Sequence, residues 1–208
     1  HRRLKDREVY WVNNRNNREE KLTLRFRVSG KAPQVWHPED GRVEDVGFRV
    51  KGLVTEVDVM LAANDAVFVV FSGKQQVMEK KVVERTLVSL GVVDGPWRVR
   101  FQANRGAPEE INLPGLESWS KHQDPGVRYF SGTASYHNTI QVDGKWLTEN
   151  KAILLDLGMV KELAEVMVNG QSAGVVWKTP FKLDIKKHLK AGRNNIEVRV
   201  TNLWVNRL

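Results

Sequence analysis

Leu22, Leu24, Phe26 and Val28 alternate with Thr23, Arg25 and Arg27, a period of two that gives a strand one apolar face. Trp97, Val99 and Phe101 repeat the pattern against Arg98, Arg100 and Gln102. Ala66-Val-Phe-Val-Val-Phe71 is a nearly continuous apolar run, as a central strand requires. Further strands are expected over Glu8 to Val12, at Val35-Trp36, over Val46 to Val50 and over Val57 to Leu61. Pro38-Glu-Asp-Gly41 is a turn, because proline presets φ and glycine supplies positive φ. The best-patterned stretch runs from Ala152 to Trp177, where Val168-Asn169-Gly170 signals a two-residue hairpin. A final strand follows Gly192. Short strands with turn signals about every 8–12 residues predict an all-β chain of two β-sandwich domains.

Helical signals are few. Lys161 to Glu165 and Ile185 to Leu189 could each hold one turn, and no segment reads as a long helix. Val127 to Val142 reads as a strand, and Asp143-Gly144 as a further hairpin turn. Ala107 to Gly126 carries three prolines and little periodicity, so a long loop is expected there. Glutamine, lysine and glutamate dominate Lys74 to Arg85, and Thr86 to Leu90 resumes a strand-like pattern. That change of character places a domain boundary between 1–73, an accessory sandwich, and 74–208.

The 208 residues suffice for two small β domains, and a hydrophobic share of 41% argues against a disordered chain. No apolar run approaches the roughly 20 residues that span a bilayer, so no membrane partner is expected. Cysteine is absent, which rules out a disulfide framework without deciding the compartment. The start at His1, with no methionine and no leader, gives the expectation of a piece cut from a longer protein. The net charge of +8 raises nucleic acid as a partner. Interleaving of charges, as in Arg18-Glu-Glu-Lys21, favours a solvated mixed surface, and only His1 to Lys5 and Lys182 to Lys190 look locally basic.

Chemistry is harder to find. There is no His-Glu-x-x-His, no cysteine site, no Gly-x-Ser-x-Gly and no glycine-rich phosphate cradle. Histidines 1, 37, 122, 137 and 188 are scattered, and no spacing singles out two carboxylates for glycoside hydrolysis. Asp156 and Asp184 each follow a strand and read as turn formers or caps. No catalytic residue, metal ligand or cofactor is nominated, and a structural calcium ion has no support. The seven tryptophans are the better lead, since aromatic faces stack on apolar sugar faces. Trp119 sits in the proline-containing loop beside Ser118, Ser120, Lys121, His122 and Gln123, an apolar plate amid hydrogen-bonding groups. Its alternative is to anchor that loop to the sandwich. Trp97 reads as core, and Trp177 as either a rim platform or a core plug.

Ordered motifs along the chain resemble the C-terminal β-sandwich modules of bacterial glycoside hydrolases of the α-L-rhamnosidase type, family 106-like. They include Val9-Tyr-Trp-Val-Asn-Asn-Arg15, Val35-Trp-His-Pro-Glu-Asp-Gly41, Gly95-Pro-Trp97 and Tyr129-Phe-Ser-Gly-Thr-Ala-Ser-Tyr136. Ala66 to Phe71, Leu154 to Val160, Ala164 to Gly170, Gly174 to Phe181, Leu189 to Asn195 and Val200 to Leu208 complete the set. The resemblance implies that the second domain is a galactose-binding-like jelly roll related to the sugar-binding domain of family 2 glycosidases. It implies that the catalytic carboxylates, and the calcium some members use, lie on an upstream (β/α)-barrel that this chain lacks. It also implies a periplasmic or extracellular location and a plant-type or bacterial glycan as partner. The candidate sugar-contacting residues are Trp119, His122, Tyr129, Asn169 and Trp177. The expected role is that of a non-catalytic accessory or carbohydrate-binding fragment. The alternatives are a purely structural interdomain brace and, third, a basic nucleic-acid-binding module.

Overall fold

The computed structural model describes residues 1–82 and 86–207. The polar stretch 74–85 and the closing motif 200–208 therefore lie partly outside the described residues. The chain is all-β and divides into two units, His1–Val88 and Ser89–Leu208.

The first unit holds β1 (Arg2–Arg3), β2 (Glu8–Asn13), β3 (Glu20–Phe26), β4 (Lys31–Trp36), β5 (Val43–Asp45), β6 (Gly47–Lys51), β7 (Val54–Leu61), β8 (Ala66–Lys74) and β9 (Glu79–Lys80). They form a five-stranded sheet, β1-β2-β8-β4-β5, and a four-stranded sheet, β3-β7-β6-β9. The alternation read over residues 22–28 puts Phe26 and Val28 in the core, with Leu22 and Leu24 packed against it. Val35, Phe48, Val57, Leu61, Val67, Val69 and Phe71 fill the space between the sheets. Burial of each such side chain contributes about 1.5–3 kcal/mol. Tyr10, Phe26 and Phe71 meet edge to face with ring centroids 4.7–5.9 Å apart. β9 pairs with β6 through Phe48↔Lys80 and Arg49↔Glu79. Residues 79–80 thus complete the first sandwich, although the sequence reading opens the second domain at 74. Thr86 to Leu90, read as strand-like, forms no strand.

The second unit holds β10 (Trp97–Phe101), β11 (Glu110–Leu113), β12 (Thr133–Val142), β13 (Leu154–Asp156), β14 (Leu163–Val168), β15 (Gln171–Val176), β16 (Lys182–Asp184) and β17 (Gly192–Thr201). Six of these form one antiparallel sheet, β11-β10-β12-β17-β14-β15, and β13 pairs with β16. Trp97, Val99 and Phe101 are buried while Arg98 and Arg100 face solvent. Gly95, before β10, lies so close to the chain after β11 that a Cβ there would sit 2.0 Å from the Pro114 carbonyl oxygen.

Several local expectations change. The loop over 107–126 contains the edge strand β11. Val127 and Arg128 belong to a short helix, α1 (Pro125–Arg128), rather than to β12. Asp124 caps α1 by accepting the Gly126 N–H at 2.7 Å, and Pro125 occupies the first turn, where a missing N–H is harmless. Asp143-Gly144 does not turn a hairpin. Asp143 caps α2 (Gly144–Thr148), accepting the Lys145 N–H at 2.9 Å. Leu163 to Glu165, offered as a helical turn, open β14 instead.

Asn169 and Gly170 turn β14 into β15 with φ of 52° and 81°, the positive values a type I′ turn requires. Asn169 Nδ2 donates to Asn194 Oδ1 at 2.8 Å and to the His188 carbonyl at 3.0 Å, and its Oδ1 accepts the Asn195 N–H at 3.0 Å. Asn194 is buried on β17. Its Nδ2 donates to the Lys190 and Gly192 carbonyls and its Oδ1 also accepts the Lys190 N–H, at 2.7–2.9 Å. Elsewhere in the unit, Trp119 Nε1 donates to Tyr136 Oη at 2.5 Å, and the two rings lie nearly parallel with centroids 6.3 Å apart. Burial pushes the Tyr136 phenol up to about 12.

Two outcomes follow. Asn194→Ala removes one of the two acceptors of the Asn169 amide and leaves the Lys190 N–H and the Lys190 and Gly192 carbonyls without their side-chain partner, and we expect a loss of about 2–3 kcal/mol in a chemical-denaturation measurement. Because burial favours the neutral phenol, the stability Tyr136 contributes is fully present below about pH 10 and is lost as pH rises through about 12. Tyr136→Phe should flatten that alkaline decline in denaturation curves recorded against pH, while weakening the fold at neutral pH by about 1 kcal/mol through the orphaned indole N–H.

Candidate functional site

The ladder between β12 and β17 decides which loops share an end of the second unit. Thr133 pairs with Thr201, Leu163 also pairs with Thr201, and Ala164 pairs with Val176. The start of β12, the end of β17, the start of β14 and the end of β15 are therefore aligned. Tyr129 precedes β12 and Trp177 follows β15, so both lie toward this end, beside strands that are three spacings, roughly 14 Å, apart across the sheet. Asn169 lies at the opposite end, where Val168 pairs with Ile196.

Tyr129 caps the C-terminus of α1, and its backbone N–H donates to the Pro125 carbonyl at 3.0 Å. Its side chain is 55% exposed and that of Trp177 is 58% exposed. The segment that carries Tyr129 is held to the end of β17 by Asn202. Asn202 Nδ2 donates to the Phe130 carbonyl at 2.8 Å, and its Oδ1 accepts the Gly132 N–H at 2.9 Å. Ser131 Oγ donates to the Leu203 carbonyl at 3.2 Å. The exposed tyrosine therefore sits on a fixed backbone.

Trp119 starts a short 3₁₀ turn, Trp119–Lys121, and packs half-buried against the core. Phe101 and Phe130 meet its ring edge to face at 5.8 and 5.4 Å. With the Tyr136 bond, these contacts anchor the loop to the sandwich. His122 is also half-buried. Its Nδ1 accepts the Asp124 N–H at 3.1 Å, and its carbonyl accepts from Arg128 Nε at 2.9 Å. Nδ1 is thus occupied in shaping the turn into α1. Asn169 spends its amide on the hairpin. Of the five candidates, the structure gathers Trp119, His122 and Tyr129 in one loop region, adds Trp177 at the same end, and separates Asn169.

Asn202 and Tyr136 position this end and were not nominated from the sequence. The alternation in β12 points Tyr136 inward, but nothing local pairs it with Trp119. Asp156 and Asp184 serve the backbone, as read. Asp156 Oδ1 accepts the Gly158 N–H at 2.9 Å, and that bond, with Lys182 at 3.1 Å, holds its carboxyl below the usual range. Asp184 Oδ1 accepts from Ile153 N and Lys186 N at 3.2 and 3.0 Å. A cleft of about 510 Å³ is lined by Leu147 and, from the locally basic stretch, by Asp184, Lys186, Lys187 and Leu189. Lys186 Nζ there donates to the Glu149 carbonyl. Among the described residues no group of three or more His, Cys, Asp or Glu could hold a metal ion. Basic side chains are interleaved with acidic ones, as in Arg49 with Asp58, Arg100 with Glu110 and Lys80 with Asp45, all within 3 Å.

Comparison with known proteins extends the picture. Residues 1–50 match the family model for α-L-rhamnosidase of glycoside hydrolase family 106, and residues 119–207 match the glycosyl hydrolases family 2 sugar binding domain. A protein of Formosa agariphila, provisionally named a β-glucuronidase, is 43% identical over 137 residues, covering 66% of this chain and 11% of that protein. The solved structure of a rhamnosidase from Novosphingobium sp. PP1Y is 42% identical with a TM-score of 0.95, covering 100% of this chain and 20% of that one. The chain spans a fifth or less of the length of each. Along its whole length it resembles β-sandwich modules of a glycoside hydrolase of the α-L-rhamnosidase type, and its second unit is similar to the sugar-binding domain of family 2 glycosidases.

Proposed function

We propose that the chain is the non-catalytic, carbohydrate-binding part of a polysaccharide-degrading glycoside hydrolase of the α-L-rhamnosidase type. The observation that carries this reading is the match of all its residues to one-fifth of a rhamnosidase at a TM-score of 0.95. Catalysis belongs, on this reading, to a barrel upstream in the parent chain, which acts outside the cytoplasm on a plant-type or bacterial glycan. The second unit presents Tyr129 and Trp177 from one end of its sheet. Trp119 and His122 shape the loop that holds Tyr129, and Asn169 holds the hairpin.

The brace reading draws on the core packing of Trp119. Against a brace whose aromatic residues are all core stands the exposure of Tyr129 and Trp177. Calorimetric titration of the chain with rhamnose- and galactose-containing glycans separates the two. We expect binding that Tyr129→Ala or Trp177→Ala weakens about tenfold, the scale of one aromatic stack. Absence of binding to every glycan would leave the brace.

A further inference from the structure

The first unit carries an aromatic feature that no role yet explains. On the five-stranded sheet Trp11 pairs in register with Phe68, and Phe68 with Trp36. Successive side chains alternate across a sheet, so these three share a face. It is the face turned away from the core, because their neighbours Val12, Val67, Val69 and Val35 pack inward. Phe68 meets Trp11 edge to face at 4.8 Å and fixes the orientation of the indole, which remains 51% exposed.

Beside Trp11 the strand ends open a cleft of about 270 Å³, walled by Asn13, Asn14, Arg15, Asn64 and Asp65. Its frame is sewn together. Asn14 is buried, and its Nδ2 donates to the Arg18 and Ala62 carbonyls at 2.7 and 2.8 Å. Asn14 Oδ1 accepts the Asn16 N–H at 3.0 Å, and the Asn14 N–H donates to the Asp65 carbonyl at 2.8 Å. Asn64 holds positive φ, and its N–H donates to the Asn16 carbonyl at 3.1 Å. Asp65 is buried, with Oδ1 accepting the Ala66 N–H at 2.8 Å. Of the exposed wall side chains, Asn64 Nδ2 donates to Asn17 Oδ1 at 3.4 Å, while those of Asn13 and Arg15 have no side-chain bond among the described residues and are left to a ligand.

A fixed, half-exposed indole beside a free amide and a free guanidinium is the chemistry of saccharide recognition. The indole face covers the apolar C–H face of a pyranose, the amide meets ring hydroxyls, and the guanidinium pairs with a carboxylate in two parallel bonds. We propose that this cleft binds a pyranose unit carrying a carboxylate, a uronate, stacked on Trp11 with its acid group on Arg15. This places a second sugar contact on the first unit, and it rests on the reading that the chain acts on glycans.

The test uses the full chain carrying Tyr129→Ala and Trp177→Ala, so that the second unit's aromatic end is silent. Methyl β-D-glucuronide and methyl β-D-glucoside differ only in the C6 carboxylate. NMR titration should shift the Trp11 indole and the Asn13 and Asn64 amide resonances, with the glucuronide binding about tenfold more tightly. Arg15→Ala should erase that difference, and Trp11→Ala should abolish the amide shifts. Shifts at these residues with no preference for the glucuronide would overturn the uronate assignment. Glycan binding by the unaltered chain that vanishes in this background would overturn the cleft while sparing the proposed function. No sugar response in either chain would sink both.

Discussion

The second unit depends on one long antiparallel pairing, Thr133–Val142 against Gly192–Thr201, which runs unbroken for ten residue pairs. It joins segments distant in sequence, and every other strand of the large sheet takes its place from it. A slip of one residue would move either Ala134 and Tyr136 or Ile196 and Val198 from the core to the opposite face. An asparagine locks each end. Asn194 ties the ladder to the Asn169 hairpin and the turn after the basic stretch. Asn202 ties it to the segment bearing Tyr129. Both use the amide as a short bridge with donors and acceptors in one plane, and a hydrophobic residue could not satisfy the backbone groups they meet.

With the register set, the division of labour among aromatic residues follows from geometry. Trp119 meets Phe101, Phe130 and Tyr136, so its area goes into holding a loop. Tyr129, at the C-terminus of α1, is exposed. Trp177 leaves the sheet beyond β15 with no core in front of it. The first unit repeats this economy: Tyr10 points into the core among Phe26 and Phe71, while the next residue, Trp11, points out over Phe68. Similarity to a rhamnosidase and to a sugar-binding domain is the ground on which both sets of outward rings are proposed to meet a glycan.

Much of this was legible in the residues alone. The alternation at 22–28 and 97–101 fixes which side chains enter the cores, because pleating is a local property of the backbone. Asn169-Gly170 determines its own turn, since positive φ is inexpensive for those residues. Other features needed the fold. Asp143-Gly144 suits a hairpin or a helix cap equally well, and the absence of a partner strand beyond it leaves the cap. Glu79 and Lys80 carry no strand signal, yet the free edge of β6 recruits them. Trp119 lies in a loop whose local composition reads as a sugar site, but its partners are brought from 101, 130 and 136 by strand pairing. That Trp11 faces outward beside Asn13 and Arg15 likewise depends on which face of the sheet the second layer covers. The sequence determined the local geometry and the apolar faces. Only the tertiary structure decided which aromatic rings are used up in packing and which remain exposed, because that choice rests on contacts between residues far apart in the chain.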